Sequence, residues 1–239
     1  LERNRVGLNF SVTEGDVAKI RGINIVGASA FREKDLLDEF VLRTPGWLTW
    51  YTKHDQYSRQ RLSGDLESLR SFYQNRGYID FNIDSTQVSI TPDKKDIYIT
   101  VNITEGEKYT VGEVKLGGQM LVPEAELAKL ISLKQGEVFS RQKLTESTKA
   151  ISDRLGNDGY AFANANAIPQ IDKDKRTVAF TVLIDPGRRV YVRRINVAGN
   201  TKTRDEVIRR EMRQLEGSFY DASKIQLSKT RVDRTSYFK

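Results

Sequence analysis

A pair of strand-like segments joined by a short charged turn occurs twice in this sequence and limits the folds open to it. In the first instance, alternating residues at 79–91 lead through a turn at 92–96 into a second alternation at 97–104. The second instance spans 161–171 and 177–184, again with a charged turn between them. Apolar side chains at every second residue predict strands with one buried face. Two such strands joined by a polar turn predict a β-hairpin, so the chain contains a repeated hairpin.

The residues before each hairpin predict an opening strand and two helices. Each opening strand ends at a glycine, which permits the positive φ of a turn; the three glycines are Gly27, Gly117 and Gly199. A first helix is expected at 33–40, 123–130 and 203–215. The second helices carry apolar residues at amphipathic spacing, mainly Leu62, Leu66, Leu69 and Tyr73, then Leu144, Ile151 and Leu155. We therefore predict an α+β fold of tandem β-α-α-β-β repeats, each a three-stranded mixed sheet covered by two helices.

The repeats set the expected domain boundaries. Residues 1–15 match the C-terminal tail of a preceding repeat, 16–106 and 107–187 are complete repeats, and 188–239 is a truncated one because no hairpin follows its helices. Few residues connect one repeat to the next, so we expect bending only at these junctions. The chain begins within a repeat and lacks a signal peptide. We therefore expect it to be part of a longer protein.

The residue types present argue against catalysis. The chain has no cysteine and one histidine, His54, which lies in a predicted loop. A thiol nucleophile and a zinc site of histidines and cysteines are thus excluded. Neither common glycine-rich phosphate loop occurs, and no apolar run approaches the ~20 residues of a membrane helix. We predict a protein that is not an enzyme and needs no metal or cofactor.

The positive charge is concentrated in the last repeat. Residues 188–239 contain 14 Lys and Arg against 6 Asp and Glu, whereas the rest of the chain is nearly balanced. The net charge of +7 is therefore weak evidence for nucleic-acid binding. Tandem α/β modules that bind RNA remain the alternative function. Modules of the KH type need a GXXG loop between their helices, and the corresponding segments here contain one glycine each.

Three segments carry a family resemblance: Asp84–Lys95, Val101–Gly106 and Arg209–Gly217. They resemble the polypeptide-transport-associated (POTRA) domains of outer-membrane β-barrel assembly factors, in which five such domains precede a membrane barrel. The resemblance covers nearly the whole chain and implies the third, the fourth and the start of the fifth domain. It further implies a periplasmic location in a Gram-negative bacterium, tethered to the outer membrane by a C-terminal barrel that this chain lacks. The implied partners are accessory outer-membrane lipoproteins and unfolded outer-membrane proteins, with no nucleic acid.

The first candidate site is the earlier strand of each hairpin, which the resemblance places at the edge of the sheet. An extended segment of another protein could pair there as an additional strand. The alternative is an ordinary solvated edge protected by Pro92 and Pro169. The predicted partner-binding residues are Ser85, Thr86, Gln87, Val88, Ser89, Ile90 and Thr91 in the first repeat and Ala165, Asn166, Ala167 and Ile168 in the second.

Two further surfaces are candidate partner sites. The loop between the helices of the first repeat is longer than in the second and contains Trp47, Trp50 and Tyr51; these residues either bind a partner or form a small core beneath the loop. In the basic last repeat, Arg209, Arg213 and Glu216 are predicted to meet an acidic partner or anionic headgroups. The alternative there is a solvated helix face.

Overall fold

The computed structural model of the chain describes residues 10–11, 18–44 and 55–238. The chain divides into two compact units, the first formed by residues 1–73 and 80–106 and the second by residues 74–79 and 107–239. Most of the predicted tail at 1–15 and the loop residues Trp47, Trp50 and Tyr51 lie outside the described residues. The predicted repeat boundaries stay predictions.

The first unit is built on a three-stranded mixed sheet. Its elements are β1 (Lys19–Val26), α1 (Glu33–Leu37), α2 (Arg59–Gln74), β2 (Asn82–Ile90) and β3 (Asp96–Thr104). The strand order is β1-β3-β2, with β1 parallel and β2 antiparallel to β3. The predicted apolar alternation of β3 is confirmed, because Ile97, Ile99, Val101 and Ile103 are all buried.

The second unit repeats this arrangement and adds a partial one. Its elements are β4 (Thr110–Gly118), α3 (Glu124–Ala128), α4 (Arg141–Gly156), β5 (Asn164–Asp172), β6 (Thr177–Asp185), α5 (Asp205–Arg209) and α6 (Ala222–Arg234). The strand order β4-β6-β5 has the same parallel and antiparallel pairs as the first sheet. The core includes Leu127, Ile151 and Leu155 from the helices and Val182 and Ile184 from β6. The predicted α+β repeat architecture is confirmed.

The first helix of each repeat is shorter than predicted. Helices α1, α3 and α5 have five residues each, whereas the sequence pattern predicted eight or more. In the first repeat, Glu39 N and Phe40 N donate to Leu36 O and Leu37 O, three residues back, and Asp65 of α2 then accepts from Val41 N at 2.7 Å and Leu42 N at 3.0 Å. These bonds replace the i to i−4 bonds that would extend the helix.

The glycine that ends the opening strand of the second repeat is Gly118, so the prediction of Gly117 was wrong by one residue. Gly118 has φ +90° and Gly27 has φ +99°, and a Cβ on either would lie 2.2 Å from a carbonyl oxygen of the neighbouring strand. Only glycine fits such a position. Adjacent glycines in the second repeat made the two choices indistinguishable from sequence.

The opening segment of the third repeat is extended without forming a regular strand. Residues 192–198 have no assigned strand, and Tyr191 makes an isolated bridge with Phe219. Strands β1 and β4 are each paired with the second strand of a hairpin. The described part of the third repeat has no hairpin after α6, so this segment lacks the neighbour that completes a strand.

Candidate functional site: open edges of the sheets

Strand β2 lies at one edge of its sheet, and its pairing with β3 fixes which main-chain groups face outward. Thr91 N donates to Asp96 O at 3.0 Å, so these two residues form a hydrogen-bonded pair. Hydrogen-bonded and non-hydrogen-bonded pairs alternate along an antiparallel ladder. The alternation directs the N–H and C=O groups of three residues away from β3: Thr86, Val88 and Ile90. Within residues 18–44 and 55–238, no strand pairs with this outer side.

The side chains of Val88 and Ile90 form an apolar strip beside these main-chain groups. Val88 lies opposite Ile99 and Ile90 lies opposite Ile97, and residues directly opposite each other share a face of the sheet. Val88 and Ile90 therefore point to the face that carries the buried core, yet they remain 37% and 57% exposed. A neighbouring segment that paired with β2 would cover this apolar surface.

Strand β2 carries few of the features that protect an edge, although its ladder with β3 is irregular between Ile83 and Ser85. Natural edge strands commonly carry lysine or proline, which discourage pairing with another chain. Strand β2 contains neither, and Asp84 is its one charged residue. On the outer face, Ser85 Oγ accepts from Asn102 Nδ2 at 2.7 Å, so polar contacts there stay within the hairpin. The edge is therefore chemically suited to accept a strand.

Strand β5 is the corresponding edge of the second unit, but it is partly blocked. Pro169 lies opposite Phe180 in the ladder, and a proline has no N–H to donate to its neighbour. A position that faces outward accommodates proline without losing a hydrogen bond to β6. The alternation then also directs the main-chain groups of Ala165 and Ala167 outward and those of Asn166 and Ile168 toward β6. The edge of β5 thus lacks a donor near its middle.

The opposite edges of the sheets are occupied within the molecule. On β1, Ile20 N donates to Asp55 O at 2.8 Å and Ile25 N donates to Glu33 Oε1 at 3.1 Å. At the start of β4, Val111 N donates to Glu137 O at 2.7 Å, and Gly136 N donates to Val111 O at 2.8 Å. These contacts make β2 and β5 the more accessible edges.

Of the three residues predicted in the basic repeat, the structure brings two together. Arg209 Nη1 lies 3.3 Å from Glu216 Oε1, whereas Arg213 donates to the carbonyl of Arg210. The hydrogen bond from Ile195 N lowers the pKa of Glu216 despite some desolvation, and Arg209 lowers it further. Arg209 and Glu216 therefore meet each other, in contact with the main chain of Ile195.

A buried carboxylate that the sequence analysis missed fixes the end of β3. Glu105 is 8% exposed and accepts hydrogen bonds from Tyr73 Oη at 2.7 Å, from Ser29 Oγ and from Ala30 N. Burial favours a higher pKa for Glu105, but the bonds from Ser29, Tyr73 and Ala30 outweigh burial and lower the pKa below its ordinary 4.5. A glutamate next to a turn glycine carries no sequence signal for this role.

The part of the chain that the structure describes shows neither of two other kinds of site. There, no group of three or more His, Cys, Asp or Glu side chains could hold a metal ion. In the same ranges, no helix has both the length and the apolar character needed to cross a membrane.

The POTRA family model, described as a surface antigen variable number repeat, matches residues 18–106, 109–187 and 190–239. The outer membrane protein assembly factor BamA of Neisseria meningitidis serogroup B is 39% identical over 239 residues, which is 100% of this chain and 30% of that protein. BamA of Buchnera aphidicola is 32% identical over 99% of this chain and 38% of that protein. The chain thus spans roughly a third of the length of these curated relatives.

The fold comparison agrees with the sequence comparison. The crystal structure of Haemophilus influenzae BamA POTRA3-5 superposes with a TM-score of 0.83 at 30% identity, covering 94% of this chain and 88% of that one. These findings confirm the resemblance predicted from the three sequence segments. The chain therefore belongs to the POTRA family, as a member of the BamA type.

Proposed function

We propose that this chain is the periplasmic scaffold region of an outer-membrane β-barrel assembly protein. In this proposal, extended segments of unfolded outer-membrane proteins pair with the open edge of β2, and accessory lipoproteins bind elsewhere on the repeats. The name of the BamA relatives supports the assembly role, since they are outer membrane protein assembly factors. The observation that carries the binding mode is the outward-facing main chain of Thr86, Val88 and Ile90 beside an exposed apolar strip.

The expected affinity is low, which suits a transient contact. Net gains of ~1 kcal/mol per main-chain hydrogen bond over about five bonds give roughly 5 kcal/mol before the cost of ordering the peptide. This corresponds to a dissociation constant near the millimolar range. Such a site holds a segment briefly and releases it to the next step of folding. Several weak sites on one chain would raise the overall affinity.

The edge of β2 is the stronger of the two candidates. Both edges expose alternate main-chain groups, but Pro169 removes one donor from β5. Ala165 and Ala167 also offer less apolar surface than Val88 and Ile90. We therefore expect Ser85–Thr91 to bind extended segments and Ala165–Ile168 to bind them more weakly.

Accessory lipoproteins are proposed to contact the third repeat and the aromatic loop. The third repeat has a surplus of positive charge, and an acidic partner surface would complement it. Arg213 can meet such a partner directly, whereas Arg209 and Glu216 would first have to separate. Trp47, Trp50 and Tyr51 are a second proposed contact.

The test is a titration of the ¹⁵N-labelled chain with a ten-residue peptide of alternating apolar and polar residues, followed by NMR. We expect the amide signals of Thr86, Val88 and Ile90 to shift more than those of the inward-facing Gln87 and Ser89. Val88→Pro should weaken binding at least fivefold, because the central outward donor is lost while the bonds to β3 remain.

Val88→Ile is the matched control, since it keeps the N–H and the apolar surface and should bind as the parent chain does. Unchanged amide hydrogen exchange at Ile99 and Val101 would show that the Val88→Pro variant is folded. Equal binding by Val88→Pro and Val88→Ile would refute strand addition. Salt-sensitive binding of an RNA oligonucleotide to a chain that does not bind the peptide would instead favour the RNA-binding alternative.

A further inference from the structure

Along one edge of the opening segment in the third repeat, the first hydrogen bonds are made with other main-chain groups. Val192 N donates to Ser218 O at 2.9 Å, and Gly217 N donates to Val192 O at 2.7 Å. Tyr220 N donates to Val190 O at 2.9 Å. The loop before α6 therefore pairs with this edge at Val190 and Val192, as the loop before α4 pairs with β4.

At Ile195, the next outward position along this edge, two side chains provide the hydrogen-bond partners. Glu216 Oε1 accepts from Ile195 N at 2.8 Å, and Arg209 Nη2 donates to Ile195 O at 3.0 Å. Arg209 also contacts Glu216 at 3.3 Å and is held from the other side by Asp205. In an antiparallel ladder, a residue of a hydrogen-bonded pair exchanges one N–H···O bond in each direction with its partner. Arg209 and Glu216 offer Ile195 the same donor and acceptor.

We propose that Arg209 and Glu216 close this edge of the third repeat by taking the place of a neighbouring strand. When the two side chains are removed, Ile195 presents a free N–H and C=O, and the edge accepts an extended segment of another molecule of this chain. The closure does not depend on what binds at β2. It acts at the residues where the loop pairing ends, so that the pairing of this one edge continues to Ile195.

The chain contains a natural comparison in its second repeat. Aligning Gly118 with Gly199 places Val114 at the position of Ile195, and Ala128 and Gln135 at those of Arg209 and Glu216. The loop pairing is present in both repeats, but alanine has no donor for the edge. The second repeat therefore lacks this arginine–glutamate closure.

Stability alone is a poor explanation of the pair. The side chains of Arg209 and Glu216 are 42% and 43% exposed, and exposed ion pairs contribute little to folding. The pair instead satisfies two main-chain groups that a strand would otherwise seek. Its effect should therefore be local to Ile195.

Amide hydrogen exchange measured by NMR tests this locality. In Arg209→Ala/Glu216→Ala, we expect exchange at Ile195 to be at least about 10-fold faster, as loss of a hydrogen bond to a charged group implies, with exchange at Val192 unchanged. Glu216→Gln keeps an acceptor and should retain most of the protection. Ala128→Arg/Gln135→Glu transfers the pair to the second repeat and should slow exchange at Val114.

Sedimentation velocity tests whether removing the two side chains promotes self-association. Arg209→Ala/Glu216→Ala should self-associate at lower protein concentration than the parent chain, and Glu216→Gln should not. The proposal is overturned if Ile195 exchange is unchanged, if Ile195 and Val192 accelerate together, or if the double variant associates no more than the parent.

Discussion

At the scale of single residues, the least expected feature is a carboxylate buried in the first unit. Glu105 connects three parts of the chain, because Ser29 and Ala30 follow β1, Tyr73 belongs to α2 and Glu105 follows β3. Replacing it leaves donors without an acceptor inside the protein, and buried donors without partners are costly. Glu105 thus links the turn after β1 to the helix layer.

Glu105→Gln should destabilise the first unit by about 2 kcal/mol at pH 7, since the charged acceptor is lost. The folded-state pKa of Glu105 is lowered, so its stabilisation is present above the unfolded pKa and is lost as the pH falls through the folded pKa. The difference between parent and variant should therefore shrink below about pH 4. Urea unfolding at several pH values, followed by the NMR signals of Ile99 and Val101, measures this.

Asp93→Asn provides the control for this pH series. Hydrogen bonds from Thr91 and Lys95 also lower the pKa of Asp93, but the residue lies in the exposed turn between β2 and β3. We expect little change in stability. A Glu105→Gln deficit that stays constant from pH 7 to pH 3 would contradict the assigned role of ionised Glu105.

At the scale of elements, one contact between the two helices recurs in all three repeats. A polar side chain of the second helix accepts a hydrogen bond from main chain that follows the first helix. The acceptors are Asp65, Ser147 and Ser228, and the donors include Val41 N, Ser132 N and Arg213 N. The three acceptors are all buried. This contact takes up main-chain N–H groups just beyond the first helix and fixes that turn against the second helix.

Asp65→Ala should destabilise the first unit by about 2 kcal/mol, because the N–H groups of Val41 and Leu42 would both lose their acceptor. Asp65→Asn keeps one acceptor oxygen and should cost less. Ser63→Ala, on the exposed side of the same helix, should change stability by less than about 0.5 kcal/mol. Urea unfolding followed at Ile99 ranks the variants, and equal effects of Asp65→Ala and Ser63→Ala would disprove the contact's role.

The hairpins were predictable from sequence, whereas the contacts that end the helices were not. Alternation in β3 is a local pattern, so Ile97, Ile99, Val101 and Ile103 were assigned correctly to the core. The bond between Asp65 and Val41 joins residues 24 positions apart, and no periodicity reports it. The same holds for the bond between Ile195 and Glu216, which are 21 residues apart. The position of β2 at an edge came from family resemblance, and the outward direction of Val88 came from the ladder.

At the scale of the molecule, the second unit shows how consecutive repeats are joined. Bending is expected at the short connection Pro186-Gly187, and two hydrogen bonds link the repeats on either side of it. Val190 N donates to Gly159 O at 2.8 Å, and Ser223 N donates to Asn157 Oδ1 at 3.0 Å. Asn157 follows α4 and Ser223 lies in the first turn of α6, so one repeat caps a helix of the next.

Gly159→Ala should loosen this junction. Gly159 has φ +103°, and a Cβ there would lie 2.8 Å from Cγ of Arg189, whose guanidinium stacks 4.6 Å from the ring of Phe219. We expect faster amide exchange at Val190 and Ser223 and faster trypsin cleavage after Arg188. Gly156→Ala makes only an ordinary contact, 3.4 Å from Ala222, and should leave both unchanged. Parent-like exchange in Gly159→Ala would contradict a fixed junction.

Because the outward groups recur at every second residue of β2, a segment held there can slide along it only in two-residue steps. Each such step returns its apolar side chains to the strip formed by Val88 and Ile90, while a shift of one residue turns every side chain to the other face. Membrane barrel strands have this same dyad pattern. A polypeptide with that pattern would keep its apolar contact with β2 at each step, and one without it would dissociate.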